Sequence, residues 1–583
     1  MATTAQEGSP QFPTATGSMR PSTQDEMDAA VQTLQAHKDA WVALTIDERI
    51  TLLDRLIKDF AAIADRIVTA SCEAKGIASA SPLVGEEWSV GPFTTLKNLC
   101  QLHHSLLDIR AHGAPQIPGP VTTRADGQVV AQVFPQTGYE RIFFQGVTAE
   151  IWMEPGVTAT DLAQTQALIY RDKQHTGKVA LVLGAGNVAS IPPTDALHKL
   201  FVEDQVVMLK MNPVNGYIGP LIEESFRALI EPGFLRVVYG GTEEGAYLCK
   251  HSGIEEIHIT GSDKTFDAIV FGSGPEGEIR KAENKPLSHK RVTGELGNVS
   301  PIIVVPGPWR PSDLAYQAEH IVTSLTTNAG FNCNATRVII QHAGWEHREE
   351  LLQQMRAILG KLPTRDAYYP GAHQRQRQFV AAHPEAEQLG SGDGKRLPWT
   401  LITGVDSDHE DDICFTTEAF CGVFAETTLD AASVVDYIDQ AVNFANERLW
   451  GTLNATIIVH PKSLQEPEVA AAVERAITNL RYGTIGINYW GGVSFTLGVT
   501  TWGAFPGASL NDVRSGIGVV HNTLMFSQAQ KSVLRGPFRS TPTPPWFALR
   551  GSSASKVFPK LVALEAAPTP WKVPGILWSA LRS

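Results

Sequence analysis

From Lys178 onward the sequence changes period every few residues, and that alternation restricts the fold more than any other feature. Short strand-like runs, VALVLG, QVVMLKM, LRVVYGG and IEEIHITGS, are separated by stretches with helical spacing, TDALHKLFVED, GPLIEESFRALIE and TEEGAYLCKH. This is the sequence form of successive βαβ units around a mostly parallel sheet. A second α/β region follows Glu295, opening with VSPIIVVPG and running to about Trp502. Upstream, residues 25–109 carry Leu, Ile and Val at three- and four-residue intervals, the pattern of amphipathic helices.

A chain of 583 residues exceeds one ordinary core, so two to four domains or one large layered unit are expected. Between about residues 111 and 178 the runs VVAQVFPQ, RIFFQGVTAEIWM and ALIYRD suggest extended arms or hairpins. The first 24 residues, rich in Ser, Thr, Pro and Gln, read as a disordered tail without the basic and apolar regions of a secretory signal. The Pro- and Ser-rich end, from GPFRSTPTPP onward, reads as an arm lying on other surfaces.

A formal net charge of −13, without clustered Lys and Arg, argues against nucleic acid as a partner and for small molecules. The six cysteines are scattered, with no CxxC pair and no histidine at ligand spacing. A reduced protein with no metal is therefore expected. No apolar run approaches the roughly 18 residues that a membrane span requires, so membrane association is not expected and the cytoplasm is the expected address.

Three stretches carry chemistry. LVLGAGNVAS ends a strand in Gly184-Ala185-Gly186 and fits G-x-G-x-x-A, which is either a turn through which a dinucleotide pyrophosphate approaches backbone amides or a tight strand-to-helix turn with no ligand. The acidic residue expected some 20 positions later for the ribose hydroxyls is absent, and Lys210 stands in VVMLKMNP instead. A 2′-phosphate is one partner that Lys210 would accept. GELGNVSP puts Glu295 at a strand end in a glycine-bounded turn, where a carboxylate is available for proton transfer or is simply a solvated turn acid. TTNAGFNCNATRVII sets Cys333 among small and amide side chains, where it is either a nucleophile or a small buried hydrophobe.

The order GAGN, LK, ITGS, ELGNVSP and NAGFNCNATR resembles the aldehyde dehydrogenase superfamily, from the N-terminal helices, where ASCEAKG is loosely similar to that family's E-x-G-K region, to about Gly507. The resemblance implies that Cys333 is the nucleophile, Glu295 the general base and Asn187 the oxyanion-binding amide. It implies cofactor contacts from Gly184, Gly186, Lys210, the turn Thr260-Gly261-Ser262, and Glu418 and Phe420 in TEAFCGV. The pattern is not kept throughout. Asn298 replaces the second glycine of E-L-G-G, Ala185 and Gly186 replace Pro-Trp, Pro213 stands where a glutamate is usual, and Phe266 where a glycine is expected.

On this resemblance the expected fold is α/β, aldehyde dehydrogenase-like, with a Rossmann-like cofactor domain, an α/β catalytic domain and oligomerisation arms. The expected divisions are a disordered tail at 1–24, N-terminal helices and cofactor domain at 25–296 with an extended arm at about 140–177, a catalytic domain at 297–505, and an oligomerisation or C-terminal arm at 506–583. NAD or NADP is the implied cofactor, and a homodimer or homotetramer the implied assembly. The implied reaction is oxidation of an aldehyde, apolar or aromatic, to a carboxylic acid. NADPH-dependent acyl-thioester reduction is the alternative, and a catalytically drifted scaffold the alternative outside enzymes. Tyr489, Trp490 and Phe505 either line an apolar substrate tunnel or are simple core, and His258 is expected to be structural.

Overall fold

The computed structural model describes residues 7–15, 17–172 and 175–581. Helix α1 (Gln24–Ala43) and helix α2 (Ile46–Ala74) each begin with a capping box, Thr23 with Glu26 and Thr45 with Glu48. Each box satisfies amide donors that the first turn leaves without partners. Helix α2 buries Ile50, Leu53, Leu56, Phe60, Ile63 and Ile67, so its three- and four-residue spacing becomes one stripe facing the core.

Strands β1 (Val121–Thr123), β2 (Val129–Phe134) and β3 (Thr148–Met153) form an antiparallel arm. It begins well before the expected 140. It also does not stand away from the molecule: β3 pairs antiparallel with residues 529–535, which pair parallel with residues 484–487. The arm therefore completes the chain's own eleven-stranded sheet.

The alternating region forms β4 (Val179–Leu183), β5 (Val206–Lys210), β6 (Leu235–Val238), β7 (Glu256–Thr260) and β8 (Arg291–Glu295), mutually parallel in the order β8-β7-β4-β5-β6. A sixth strand, Gly516–Ile517, joins antiparallel beside β8. β9 (Ser300–Val304) and β10 (Thr336–His342) lie at the middle of the larger sheet, which is parallel at its centre. The 506–583 segment is thus more than an arm: it gives a strand to each of the two large sheets and ends in two helices, Gly551–Ala566 and Val573–Leu581.

The expected tail also differs, although residues 1–6 and 16 lie outside the described residues. Gly8 forms a parallel bridge to Thr417, Ser9 is buried, and the Phe12 ring meets Tyr369 at 5.1 Å and Phe420 at 5.2 Å. Ser22 and Tyr239 exchange hydrogen bonds through the Ser22 amide and hydroxyl. A polar segment stays disordered only where no outside surface supplies partners, and here backbone pairing and one aromatic anchor hold it.

Candidate active site

Three consecutive residues with left-handed backbone, Asn328 (φ 54°), Ala329 (φ 56°) and Gly330 (φ 78°), carry the chain from a helix ending at Thr326 to Cys333. Only glycine fits the third position, because a Cβ there would lie 2.6 Å from the Cys421 carbonyl oxygen. Such a path persists only where its surroundings over-determine it. Lys75, in the ASCEAKG stretch, is 5% exposed and donates to Glu87 at 2.9 Å and to Asn328 Oδ1 at 3.0 Å. Asn328 Nδ2 donates to the carbonyls of Asn187 and Phe331. From the other side, Arg337 donates to the carbonyls of Gly330 at 2.7 Å and Cys421 at 2.6 Å. Sequence reading missed Lys75, Glu87, Asn328 and Arg337 as builders of this loop; the signal available was Lys75 in the E-x-G-K-like stretch.

The turn after β4 delivers Asn187 to this loop. Its Nδ2 donates one hydrogen to the Phe331 carbonyl at 2.9 Å, and its own carbonyl accepts from the Tyr368 hydroxyl at 3.0 Å. The amide carries a second hydrogen, and Asn187 and Cys333 line the same cavity. Gly184 and Gly186 lie in a closely packed turn after β4. The following helix begins only at Ile191, and the Gly186 face lies against Asn212, with 2.7 Å between a built Cβ and Asn212 Oδ1. A Cβ on Gly184 would in turn lie 3.1 Å from Pro192 of that helix, so both glycines are places of close approach.

Glu295 ends β8, 4% exposed, with its carboxyl against the Cys333 thiol and near the Trp502 indole. Oxygen Oε1 has no hydrogen-bond partner. Burial pushes the Glu295 carboxyl up to about 8, with the cysteine and Trp502 pulling it back. Burial, followed by the adjacent Glu295 charge, holds the Cys333 thiol well above its usual range. The pair therefore rests protonated at neutral pH.

The remaining expected residues divide in two. Lys210 ends β5, 7% exposed, and burial lowers its amine to about 8. It makes no hydrogen bond or ion pair with another described residue, so a buried donor there is left for a ligand. Glu418 is 1% exposed; burial raises it to about 7, against the pull of Arg337. Phe420 packs beside it with a left-handed backbone. The Thr260 hydroxyl, by contrast, is taken by Asp195 at 2.8 Å, and Ser262 caps the helix Asp263–Val270 by accepting from the Thr265 amide. Gly261 is exposed between them. His258 bridges Thr293 and the Asp195 side, buried and kept neutral by desolvation.

The N-terminal segment lies across this same face. Ser9 Oγ donates to Glu418 at 3.2 Å, and its amide donates to Asp263 at 3.1 Å. Tyr489 and Trp490 line the cavity as expected. Phe505 instead lies under the Lys531 ammonium, 5.1 Å from the ring centre. Phe93, Phe495, Trp546 and Phe558 line the cavity without having been expected there, because they come from segments far apart in the chain.

The profile described as "Aldehyde dehydrogenase family" matches residues 204–497. An aldehyde dehydrogenase of a Fusarium species is 29% identical over 161 residues, 27% of this chain and 32% of that protein. N-succinylglutamate 5-semialdehyde dehydrogenase of Novosphingobium aromaticivorans is 31% identical over 171 residues, 29% of this chain and 33% of that protein. The matched segments thus span about a third of these curated relatives. Among solved structures, the NADP complex of a glyceraldehyde-3-phosphate dehydrogenase from Bacillus halodurans superposes with a TM-score of 0.59 at 17% identity, covering 90% of this chain and 96% of that one. An aldehyde dehydrogenase from Pseudomonas syringae, bound to NAD+ and octanal, gives 0.57 at 16%, covering 91% and 96%. These two establish the α/β fold.

Proposed function

Because this chain belongs to the aldehyde dehydrogenase family, we propose that it oxidises an aldehyde to a carboxylic acid with NAD or NADP, Cys333 being the nucleophile. The observation that carries this reading is the pairing of Glu295 with the Cys333 thiol on a loop pinned from both sides. Lys210, Glu418 and Phe420, with the exposed Gly261 turn, are the residues that would hold the cofactor, and the buried amine of Lys210 without a partner fits a hydroxyl or phosphate there. Bound nicotinamide supplies a hydride acceptor.

The Cys333 sulfur adds to the aldehyde carbon as ionised Glu295 takes the thiol proton and passes it to solvent, and the carbonyl oxygen becomes an oxyanion. The second Asn187 amide hydrogen and the Cys333 backbone N–H are the donors for that charge, each typically worth roughly 3 to 4 kcal/mol. Once the carbon is oxidised it remains on Cys333 as a thioester. Ionised Glu295 takes a proton from water, the hydroxide adds to the thioester carbon, and the sulfur departs with the acid released. A homodimer or homotetramer and a cytoplasmic address belong to the same reading. The six free cysteines and the open edge at β1 support these; no described helix is long and apolar enough to cross a membrane.

One observation favours a second reading. With Glu295 protonated up to about pH 8, water attack is slow at neutral pH, and a long-lived thioester is the species that acyl-thioester reduction shares. Stopped-flow absorbance of reduced nicotinamide separates the two. A burst lost in Cys333→Ala, with steady turnover lost in Glu295→Gln, supports aldehyde oxidation. Acyl-CoA reduction by NADPH that survives Glu295→Gln supports the reverse reaction.

A further inference from the structure

The cavity that reaches Cys333 encloses about 560 Å³; beyond the Asn187 turn and the Cys333 loop, four distant segments build its walls. One wall comes from residues 82–93, a second from 142–147 and a third from 489–496. The fourth comes from 537–580, including Trp546 and the terminal helices through Val557, Leu561, Ile576 and Ala580. Rings in this lining are already paired edge to face, Phe93 with Phe558 at 5.5 Å and Trp546 with Tyr489 at 5.5 Å. These rings form apolar stretches of the cavity wall.

Charge inside the cavity narrows the ligand further. Among the lining residues only Glu86 and Arg539 are charged. Glu86 is held by Arg365 at 2.6 Å, and Arg539 by Asp313 at 3.1 Å. Apart from the half-exposed Arg539, no cation lines the cavity to hold a phosphate or a distal carboxylate, and burying either unpaired is costly. At the outer end Ile142 and Leu577 line the cavity while 41% and 37% exposed, so the passage opens to solvent between apolar side chains. Leu581, on the same terminal helix as Leu577, is 68% exposed.

Resting on the reading of Cys333 as the nucleophile, we infer that this cavity receives the hydrocarbon chain of a long, unbranched aliphatic aldehyde, with the carbonyl at Cys333 and the tail toward the terminal helices. No charged or aromatic head group is needed at the far end.

Two measurements test it. In turnover from butanal to dodecanal, KM falls by about fourfold for each added methylene, the fold-change of burying one CH₂, until the chain fills the cavity. A flat profile overturns the inference. In the Cys333→Ser protein without cofactor, the fluorescent fatty acid cis-parinaric acid binds and is displaced by dodecanoate but not by butyrate. Val557→Trp and Ala580→Trp, one on each terminal helix, each weaken that binding at least tenfold. Probe binding displaced by dodecanoate without turnover of any aldehyde supports the hydrocarbon site while sinking the catalytic reading. Turnover of short aldehydes with no displacement by dodecanoate overturns the site and leaves the catalytic reading standing.

Discussion

With Glu295 protonated until about pH 8 and the Cys333 thiol pushed higher, proton loss from the pair begins at the carboxyl, and the resulting charge opposes the thiolate. Steady-state oxidation is therefore expected to rise through pH 8 in the wild type and to lose that rise in Glu295→Gln; equal profiles would remove Glu295 from deacylation. Removing the charge also frees the thiol, so alkylation of Cys333 by iodoacetamide should reach its half-maximal rate at lower pH in Glu295→Gln. The same burial has a stability consequence with a definite sign. The folded state keeps the Glu295 proton while the unfolded chain releases it near 4.3, so stability is lost as pH rises from about 4.3 to about 8. At about 1.4 kcal/mol per pH unit, up to about 5 kcal/mol is involved, and thermal unfolding of Glu295→Gln at pH 8 should occur at a higher temperature than that of the wild type.

At the scale of elements, the nucleophile loop depends on a helix far away in sequence. Lys75 near the end of α2 holds Glu87 and Asn328 together, all three buried. Lys75→Met leaves the Glu87 carboxylate without its counter-charge, so a loss of about 3 to 5 kcal/mol is expected in urea unfolding, and Lys75→Met with Glu87→Leu should recover part of it. The N-terminal segment makes an opposite prediction. Ser9 occupies a Glu418 oxygen and Phe12 packs edge-on against Phe420, so a chain starting at Thr23, which keeps the cap of α1, should bind NAD or NADP at least about tenfold more tightly by calorimetry, since the competent fraction rises. Weaker binding would mean that Ser9 and Phe12 belong to the cofactor's own seat.

At the scale of the whole molecule, the antiparallel arm pairs with the chain's own sheet through residues 529–535 and 484–487, and exchange of the same pairing between copies is the domain-swapped route to an oligomer. Light scattering is expected to give a particle of two or four 63.2 kDa chains; a single chain would mean that pairing within the chain is all the arm does. The parallel strands β4 to β8, the ends of β5 and β8 at Lys210 and Glu295, and the cysteine loop were legible because period and order are local properties of the sequence. Local reading failed wherever a partner was distant. It took the first 24 residues for a free tail, and missed Lys75, Arg337 and Trp546. The sequence by itself determined the alternation of strands and helices, the residue types at the strand ends, and the family. Only the tertiary structure decided which carboxyl is desolvated against the thiol, what lies over Glu418, and which side chains from distant segments enclose the cavity. Burial and pairing depend on neighbours that can be hundreds of residues apart, and no local pattern encodes them.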